Sequence, residues 1–383
     1  MVLSVRKWVA VFAVVFSAQV ATASPAEKPK DVDLVICLDV SGSMNGLIDS
    51  AKVKLWDIVN ELAKVKPTPN LRVGLYSYGH DTYPASNGWV RKDLDLTNDL
   101  DEVYAKLNAL TINGGEEYVA RVSQAALKEQ KWAVAPNALR LIFVCGNEPV
   151  DQDKAVKLAD VAILAKSQGV IINTIFCGPA QHVDAAGWRD FSIQTSGSYA
   201  NIDQNQAKND LASNIKSPFD EKLLKLNGDL NKTYVAYGEK GKASAEKQVA
   251  QDTAAAANAP GAALGRAESK ANPLYTNSTW DLIDRMKDAK FDLATIKDED
   301  LPECLKTLKP EERMSYLKKK ADERTAIQKE INDLSGKRGK FIDDERKKLP
   351  KTTGEKSLDD ALKGMIREQA KAKGFEVPTA EKK

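Results

Sequence analysis

The chain has only two histidines, His80 and His182, and four cysteines, Cys37, Cys145, Cys177 and Cys304, in 383 residues. Four cysteines are too few to scaffold a chain of this size by disulfides, which small secreted domains use at much higher density. Three of them sit in or at the ends of apolar runs, where a thiol packs as a small hydrophobe. A Cys145–Cys177 bridge is open to the chain in an oxidising compartment, and four cysteines admit three complete pairings among which sequence does not choose. Each histidine lies in a polar turn, far in sequence from the other, and reads as a loop residue rather than a ligand or base. Also missing are a glycine-rich phosphate loop with a following lysine, a Gly-x-Ser-x-Gly elbow and a Cys-x-x-Cys pair, which removes the commoner nucleotide, hydrolase and redox readings.

Nor is there an excess of charge of one sign. Lys and Arg number 56 against 54 Asp and Glu. Residues 1–23 read as a signal peptide: Arg6 and Lys7 come first, an apolar run from Trp8 to Phe16 follows, and Ala21-Thr22-Ala23 supplies small residues for cleavage. A membrane anchor needs roughly 20 apolar residues, and this run breaks at Ser17 and Gln19. Cleavage removes two cations and no anions, leaving a formally neutral chain. Neutrality argues against a nucleic-acid binder and against adhesion to anionic lipid. No later apolar stretch is long enough for stable membrane insertion, so the expectation is a soluble exported protein, periplasmic or extracellular.

After a short linker at 24–30, residues 31–205 alternate apolar runs with helical segments, which predicts an α/β unit with a mostly parallel sheet. Strands are expected at Asp33–Leu38, Leu71–Tyr78, Val90–Leu96, Leu139–Val144, Val170–Phe176 and Ser198–Ile202. Helices are expected from Leu47 to Leu62, from Leu100 to Leu110 with Thr97 or Asn98 as cap, and over Tyr118–Lys128, Lys154–Gln168 and Trp188–Gln194.

Past this unit Lys, Glu, Asp and Ala dominate. Residues 206–278 are read as helical or linker, with 243–271 as linker or poorly packed helices around the Pro260-Gly261 break. Residues 279–350 are read as charged helices. Ile327, Ile331 and Leu334 form a short buried stripe there, and Arg324 and Arg338 interrupt it, which predicts a solvated helical hairpin rather than a coiled coil. Residues 351–383 are read as a flexible tail.

The chemistry is concentrated in Asp39-Val40-Ser41-Gly42-Ser43, directly after a buried strand. In an open α/β sheet, loops at the carboxyl ends of the strands form the ligand crevice. One carboxylate and two hydroxyls on a tight turn there offer hard oxygens suited to Mg²⁺, Mn²⁺ or Ca²⁺. Asp and Ser are also favoured helix caps, and capping of the next helix is the plainer reading of the same residues.

With strand before and helix after, the segment resembles the Asp-x-Ser-x-Ser part of the metal-ion-dependent adhesion site of von Willebrand factor A domains. The resemblance spans roughly residues 31–205. It implies a Rossmann-like fold with helices on both sides of the sheet, and a metal completed by an acidic group from a protein partner. Where the family usually has Thr after a Gly-Gly turn, this chain has Gly114-Gly115-Glu116-Glu117. Where it usually has Asp after the fourth strand, this chain has Cys145-Gly146-Asn147-Glu148. Asp39, Glu116 and Asn147 together still carry two negative charges, and these substitutions resemble those of a subset of exported bacterial A-type proteins. The implied ligand set is Asp39, Ser41, Ser43, Glu116 and Asn147, with Glu117 and Glu148 beside them. Glutamate is longer than threonine, and Glu116 is expected to take the coordination position of a partner's carboxylate.

Three functions follow as expectations. The first is a non-enzymatic binding module holding a divalent cation and docking a protein partner. The second is a metal-free scaffold whose helical region makes the contacts. The third is a metal-assisted hydrolase with Glu117 or Glu148 as general base.

Overall fold

The computed structural model describes residues 29–45, 57–202, 215–258, 260–348 and 358–377. The expected signal peptide at 1–23, most of the linker at 24–30 and the helix expected over Leu47–Leu55 lie outside the described residues. Residues 57–62 are helical, as the apolar spacing through Ile58 and Leu62 predicts.

Six strands form one sheet: β1 (Asp31–Asp39), β2 (Asn70–Tyr78), β3 (Val90–Thr97), β4 (Leu139–Gly146), β5 (Val170–Phe176) and β6 (Tyr199–Asn201), ordered β3-β2-β1-β4-β5-β6. β3 runs antiparallel to β2 at one edge, and every other neighbouring pair is parallel. β1, β4 and β5 are near-continuous Val, Ile, Leu and Phe because a parallel strand is covered on both faces. Leu34, Ile36 and Leu38 face residues 57–62 and α1 (Leu100–Asn108). Val35 and Cys37 face α2 (Val119–Glu129), α3 (Leu158–Gln168) and α4 (Ala185–Gln194). Register brings Asp39 level with Tyr78, Leu38 with Cys145, and Gly146 with Phe176, so four parallel strands end along one line.

Two helix starts differ from the sequence reading. α1 is capped by Asp99, whose carboxylate accepts from the Glu102 amide at 2.9 Å, and not by Thr97 or Asn98. β3 runs on to Thr97, whose hydroxyl accepts from the Asp99 amide instead. α3 begins at Leu158 rather than near Lys154, because Asp153 accepts from the Ala155 and Val156 amides and pairs with Arg121, holding those residues in a turn.

Beyond the sheet lie α5 (Asp220–Asn231), α6 (Gly241–Asn258), α7 (Pro260–Ala271), α8 (Pro310–Lys348) and α9 (Leu358–Ala372). The stretch expected as linker or loose helices is α6 and α7, and it is packed through buried polar groups: Gln248, Arg266, Ser269 and Lys270 are all buried. Hydropathy scores such residues as surface, whereas here they satisfy one another. α8 is a single long helix laid on α5 and α7, not a solvated hairpin; Ile331 is buried among Leu223, Leu226, Leu230 and Leu264. Arg324 does not interrupt the packing. It donates to both oxygens of Asp281 at 2.6 and 3.1 Å and lies 3.9 Å from the centre of the Tyr234 ring. Arg338 pairs with Asp220 at 2.9 Å.

The expected flexible tail is corrected over residues 358–377. Leu362, Met365, Ile366 and Ala370 recur at helical spacing, and with Phe375 they are buried in the core on the α1 side of the sheet. Glu376 exchanges backbone hydrogen bonds with Lys66, and the Gln369 amide donates to Asn173 at 2.7 Å. Among the described residues no helix is long and apolar enough to cross a membrane.

Candidate functional site

β1 delivers Asp39 to the end of the sheet, where the chain turns sharply. Val40 is fastened on both sides: its amide donates to the Tyr78 carbonyl at 2.9 Å and its carbonyl accepts from the Asn113 amide at 3.1 Å. Ser41 is extended (φ −67°, ψ 167°) and leads into a single 3₁₀ turn, Gly42–Met44, whose Met44 side chain is buried in the core. This geometry aims the polar side chains of the turn away from the sheet.

The Asp39 side chain is fully buried. Its Oδ1 accepts from the Ser41 amide at 2.8 Å, and its Oδ2 has no hydrogen-bond partner among the described residues. The hydroxyls of Ser41 and Ser43 lie 2.8 Å apart, and Ser43 donates to Asn147 Oδ1 at 3.0 Å. Ser41 makes no side-chain capping bond to the 3₁₀ turn; its hydroxyl faces Ser43 instead. Among the described residues, then, the Asp-x-Ser-x-Ser oxygens are turned toward one another and toward Asn147.

The segment after α1 approaches from the other side. Gly115 packs so tightly on the 79–80 backbone that a Cβ there would lie 2.5 Å from the Gly79 carbonyl oxygen. Gly79 has φ +81°, open to glycine at little cost, and a Cβ on it would meet Asp39 Oδ1 at 3.0 Å, Glu117 Cγ at 3.2 Å and Ser41 Cβ at 3.3 Å. Glu117 therefore stands beside Asp39 and Ser41, while Glu116 lies on the exposed side of the segment. Glu116 is exposed and Glu117 half-buried, which separates these two neighbours.

The electrostatics agree. Burial lifts the Asp39 carboxyl to about 7 against hydrogen bonds from Ser41, and the charges of Glu117 and Glu148 lift it further. Glu117 is likewise raised to about 7, by burial, then by Glu148 and Glu116, with a Ser41 hydrogen bond acting the other way. Crowded carboxylates over a buried, apolar floor favour a proton or a cation. That floor includes Tyr78, which donates to the Cys145 carbonyl at 2.9 Å, and Trp188, whose indole donates to the Glu148 carbonyl at 2.8 Å.

All four cysteines are free thiols, so the Cys145–Cys177 bridge is not present. Cys37, Cys145 and Cys177 are buried as small hydrophobes, and burial pushes their thiols up. His80 departs from its reading as a plain loop residue: it is buried, stacked 4.9 Å from Tyr83 and bonded to Thr82. Sequence reasoning also passed over Gly79 and Tyr78; the register of Tyr78 with Asp39 is the signal that places them. Among the described residues no group of three or more His, Cys, Asp or Glu side chains forms a ready metal cage. The donors that do converge are one buried carboxylate, two hydroxyls and an amide oxygen, with two further carboxylates within electrostatic reach. Such hard oxygens fit Mg²⁺, Mn²⁺ or Ca²⁺.

Residues 33–214 match the family model described as the von Willebrand factor type A domain. Among solved structures the chain is similar to the VWA domain of SpRpn10, at 17% identity over 49% of this chain and 96% of that one, with a TM-score of 0.37. It is similar to proximal thread matrix protein 1 from the mussel byssus with a zinc-occupied MIDAS motif, at 11% identity over 47% of this chain and 44% of that one, with a TM-score of 0.35. It is also similar to the pilus adhesin SpaC from Lactobacillus rhamnosus GG in its open conformation, at 16% identity over 49% of this chain and 31% of that one, with a TM-score of 0.34. The chain thus spans under half the length of the mussel protein and of the adhesin. Among curated proteins none matches the chain.

Proposed function

We propose, from a chain that carries a von Willebrand factor type A domain over residues 33–214, that it is an exported protein-binding module, periplasmic or extracellular, whose docking face is organised by a divalent cation. VWA domains commonly mediate protein–protein interaction or adhesion and are generally non-enzymatic. The observation that carries the cation is Asp39 Oδ2, a fully buried carboxylate oxygen without a hydrogen-bond partner among the described residues. Leaving such a group unsatisfied costs about 1–3 kcal/mol or more, and a cation at this point would satisfy it. Asp39, Ser41 and Ser43 would hold Mg²⁺, or Mn²⁺ or Ca²⁺, with Asn147 orienting Ser43 and Glu117 supplying the second carboxylate. Bound there, the cation supplies positive charge that offsets the mutual repulsion of Asp39, Glu117 and Glu148.

Calorimetric titration with Mg²⁺, Mn²⁺ and Ca²⁺, paired with thermal unfolding in chelator, tests this. Wild type should gain about 2.7 kcal/mol when the ion stands at about 100 times its Kd, and Asp39→Ala should gain nothing. Equal responses of the two proteins would falsify the cation site.

A second reading, a metal-free scaffold whose helical region makes the contacts, is favoured by a mainly apolar groove of about 940 Å³ between α6 and residues 299–306, where Val249 is 49% exposed. The titration separates the two readings, because the scaffold responds to no ion.

A further inference from the structure

The loops around Asp39 carry a charge that the chain as a whole lacks. Over residues 79–89, 109–118, 147–157 and 177–184 there are seven carboxylates and two lysines, in a protein with 56 basic and 54 acidic residues. The two lysines bond to backbone carbonyls of their own loop, Lys154 to Asp151 at 3.2 Å and Lys157 to Lys154 at 2.8 Å, and not to a carboxylate among the described residues. Asp153 is neutralised by Arg121 at 2.8 Å. Among the described residues, no lysine or arginine pairs with Asp81, Glu116, Glu117, Glu148, Asp151 or Asp184; the ionisable side chains beside Asp81 and Asp184 are His80 and His182.

These loops share one end of the molecule. Asn113 donates to Asp81 at 2.7 Å, Ser43 donates to Asn147, and the Cys177 amide donates to the Gly146 carbonyl at 2.8 Å. At the same end lies Asp39 Oδ2, buried and without a hydrogen-bond partner among the described residues. One divalent cation there would balance two carboxylates, Asp39 and Glu117, and would leave the exposed Glu116, Asp81 and Asp151 and the half-buried Glu148 without a lysine or arginine partner among the described residues. Glu117 already brings a second carboxylate of the chain beside Asp39 and Ser41. A partner's carboxylate would meet two carboxylates of the chain and a repelling rim, whereas a cationic side chain would meet an attractive field that also speeds encounter.

We infer that the partner of this face docks through a lysine- or arginine-rich segment, not through a carboxylate. The inference rests on the reading of this face as the docking surface and deepens it by naming the chemistry of the partner. Opposite charges concentrated on two surfaces give salt-sensitive association, with a Debye length near 10 Å at 0.1 M salt and roughly 30 Å at 0.01 M.

The test uses the full-length chain, in Mg²⁺, with fluorescent deca-lysine and deca-glutamate peptides read by anisotropy. Deca-lysine should bind, and its Kd should rise at least about tenfold from 0.05 to 0.3 M NaCl. The rim variant Glu116→Gln/Glu148→Gln/Asp151→Asn should weaken it about tenfold or more, roughly 1.4 kcal/mol. A control variant on the helical region, Glu299→Gln/Glu303→Gln/Glu311→Gln, should bind like wild type. Mg²⁺-dependent capture of deca-glutamate, no binding of either peptide, or equal weakening by rim and control variants would each overturn the inference. The thermal response to Mg²⁺ is measured on the same samples: if it persists while deca-lysine fails, the cation site stands and only the partner chemistry falls.

Discussion

Arg266 of α7 donates to Asp101 of α1 at 2.6 Å, and each side chain is only 2% exposed. The residues are 165 positions apart, and their meeting joins the helical region to the sheet domain. The Tyr275 hydroxyl donates to the other Asp101 oxygen at 2.6 Å, and Arg266 also reaches Asp252 at 2.5 Å, where Lys270 pairs at 2.7 Å. Burial lowers Lys270 to about 8 against the pull of Asp252, the mark of a desolvated ion pair.

Breaking that junction on one side should cost more than most surface changes. Arg266→Ala should lose about 3–5 kcal/mol, because it leaves the buried Asp101 without its cationic partner, and Asp101→Ala should lose less, because Arg266 keeps its pair with Asp252. The double variant Asp101→Leu/Arg266→Met should recover a large part of the loss. Urea denaturation measures both, and single variants within about 1 kcal/mol of wild type would remove the junction from the account of stability.

The α9 helix supplies part of the sheet's own core from the far end of the chain. Ile366 is fully buried, so Ile366→Ala should cost about 2–5 kcal/mol. A chain stopped after residue 357 should lose more than that single variant, since Leu362, Met365, Ala370 and Phe375 leave the core with it. Thermal unfolding decides the matter; an unchanged midpoint for the shortened chain would be incompatible with this packing.

Stability in chelator should depend on pH through Asp39 and Glu117. Both carboxyls are raised to about 7 in the folded protein, so the folded state holds their protons more tightly than the unfolded chain does. Their contribution is fully present below about pH 4, declines as pH rises from about 4 to about 7, and is absent above that. Asp39→Asn removes its share of the decline and should be more stable than wild type in chelator at about pH 8, by a few kcal/mol. Added Mg²⁺ competes with those protons, so its stabilising effect should grow over the same interval. A Mg²⁺ effect that shrinks with rising pH would contradict the assignment.

Gly115→Ala should disturb the site without touching a ligand. Its new methyl group would lie 2.5 Å from the Gly79 carbonyl oxygen, backbone against backbone, so the segment bearing Glu117 must shift. The expected result is a loss of about 1–3 kcal/mol and a weaker response to Mg²⁺. Gly114→Ala, with open space around its Cα, is the matched control and should behave nearly as wild type. Similar Mg²⁺ responses in the two variants would mean that the packing of Gly115 on Gly79 does not position Glu117.

Much of the sheet was legible because apolar periodicity is a local property. Val170–Phe176 appears as a strand in both readings, and the strand at Leu71–Tyr78 differs by one residue. The turn bearing Asp39, Ser41 and Ser43 was legible for the same reason: a strand end, a tight turn and hard oxygens lie within five residues. The helical region was misjudged where polar residues are buried. Arg324 and Arg266 look like surface charges in the sequence and become core groups only because Asp281 and Asp101 arrive from distant segments.

The sequence by itself determined the α/β pattern and the hard-oxygen turn, since both depend on spacings shorter than one element. Tertiary structure alone decided that Glu117 rather than Glu116 stands beside Asp39, that Asn147 meets Ser43, and that α9 returns to cover the sheet. These relations arise where separately folded segments come within a few ångströms, and no local spacing encodes which side of an extended segment will face a neighbour a hundred residues away.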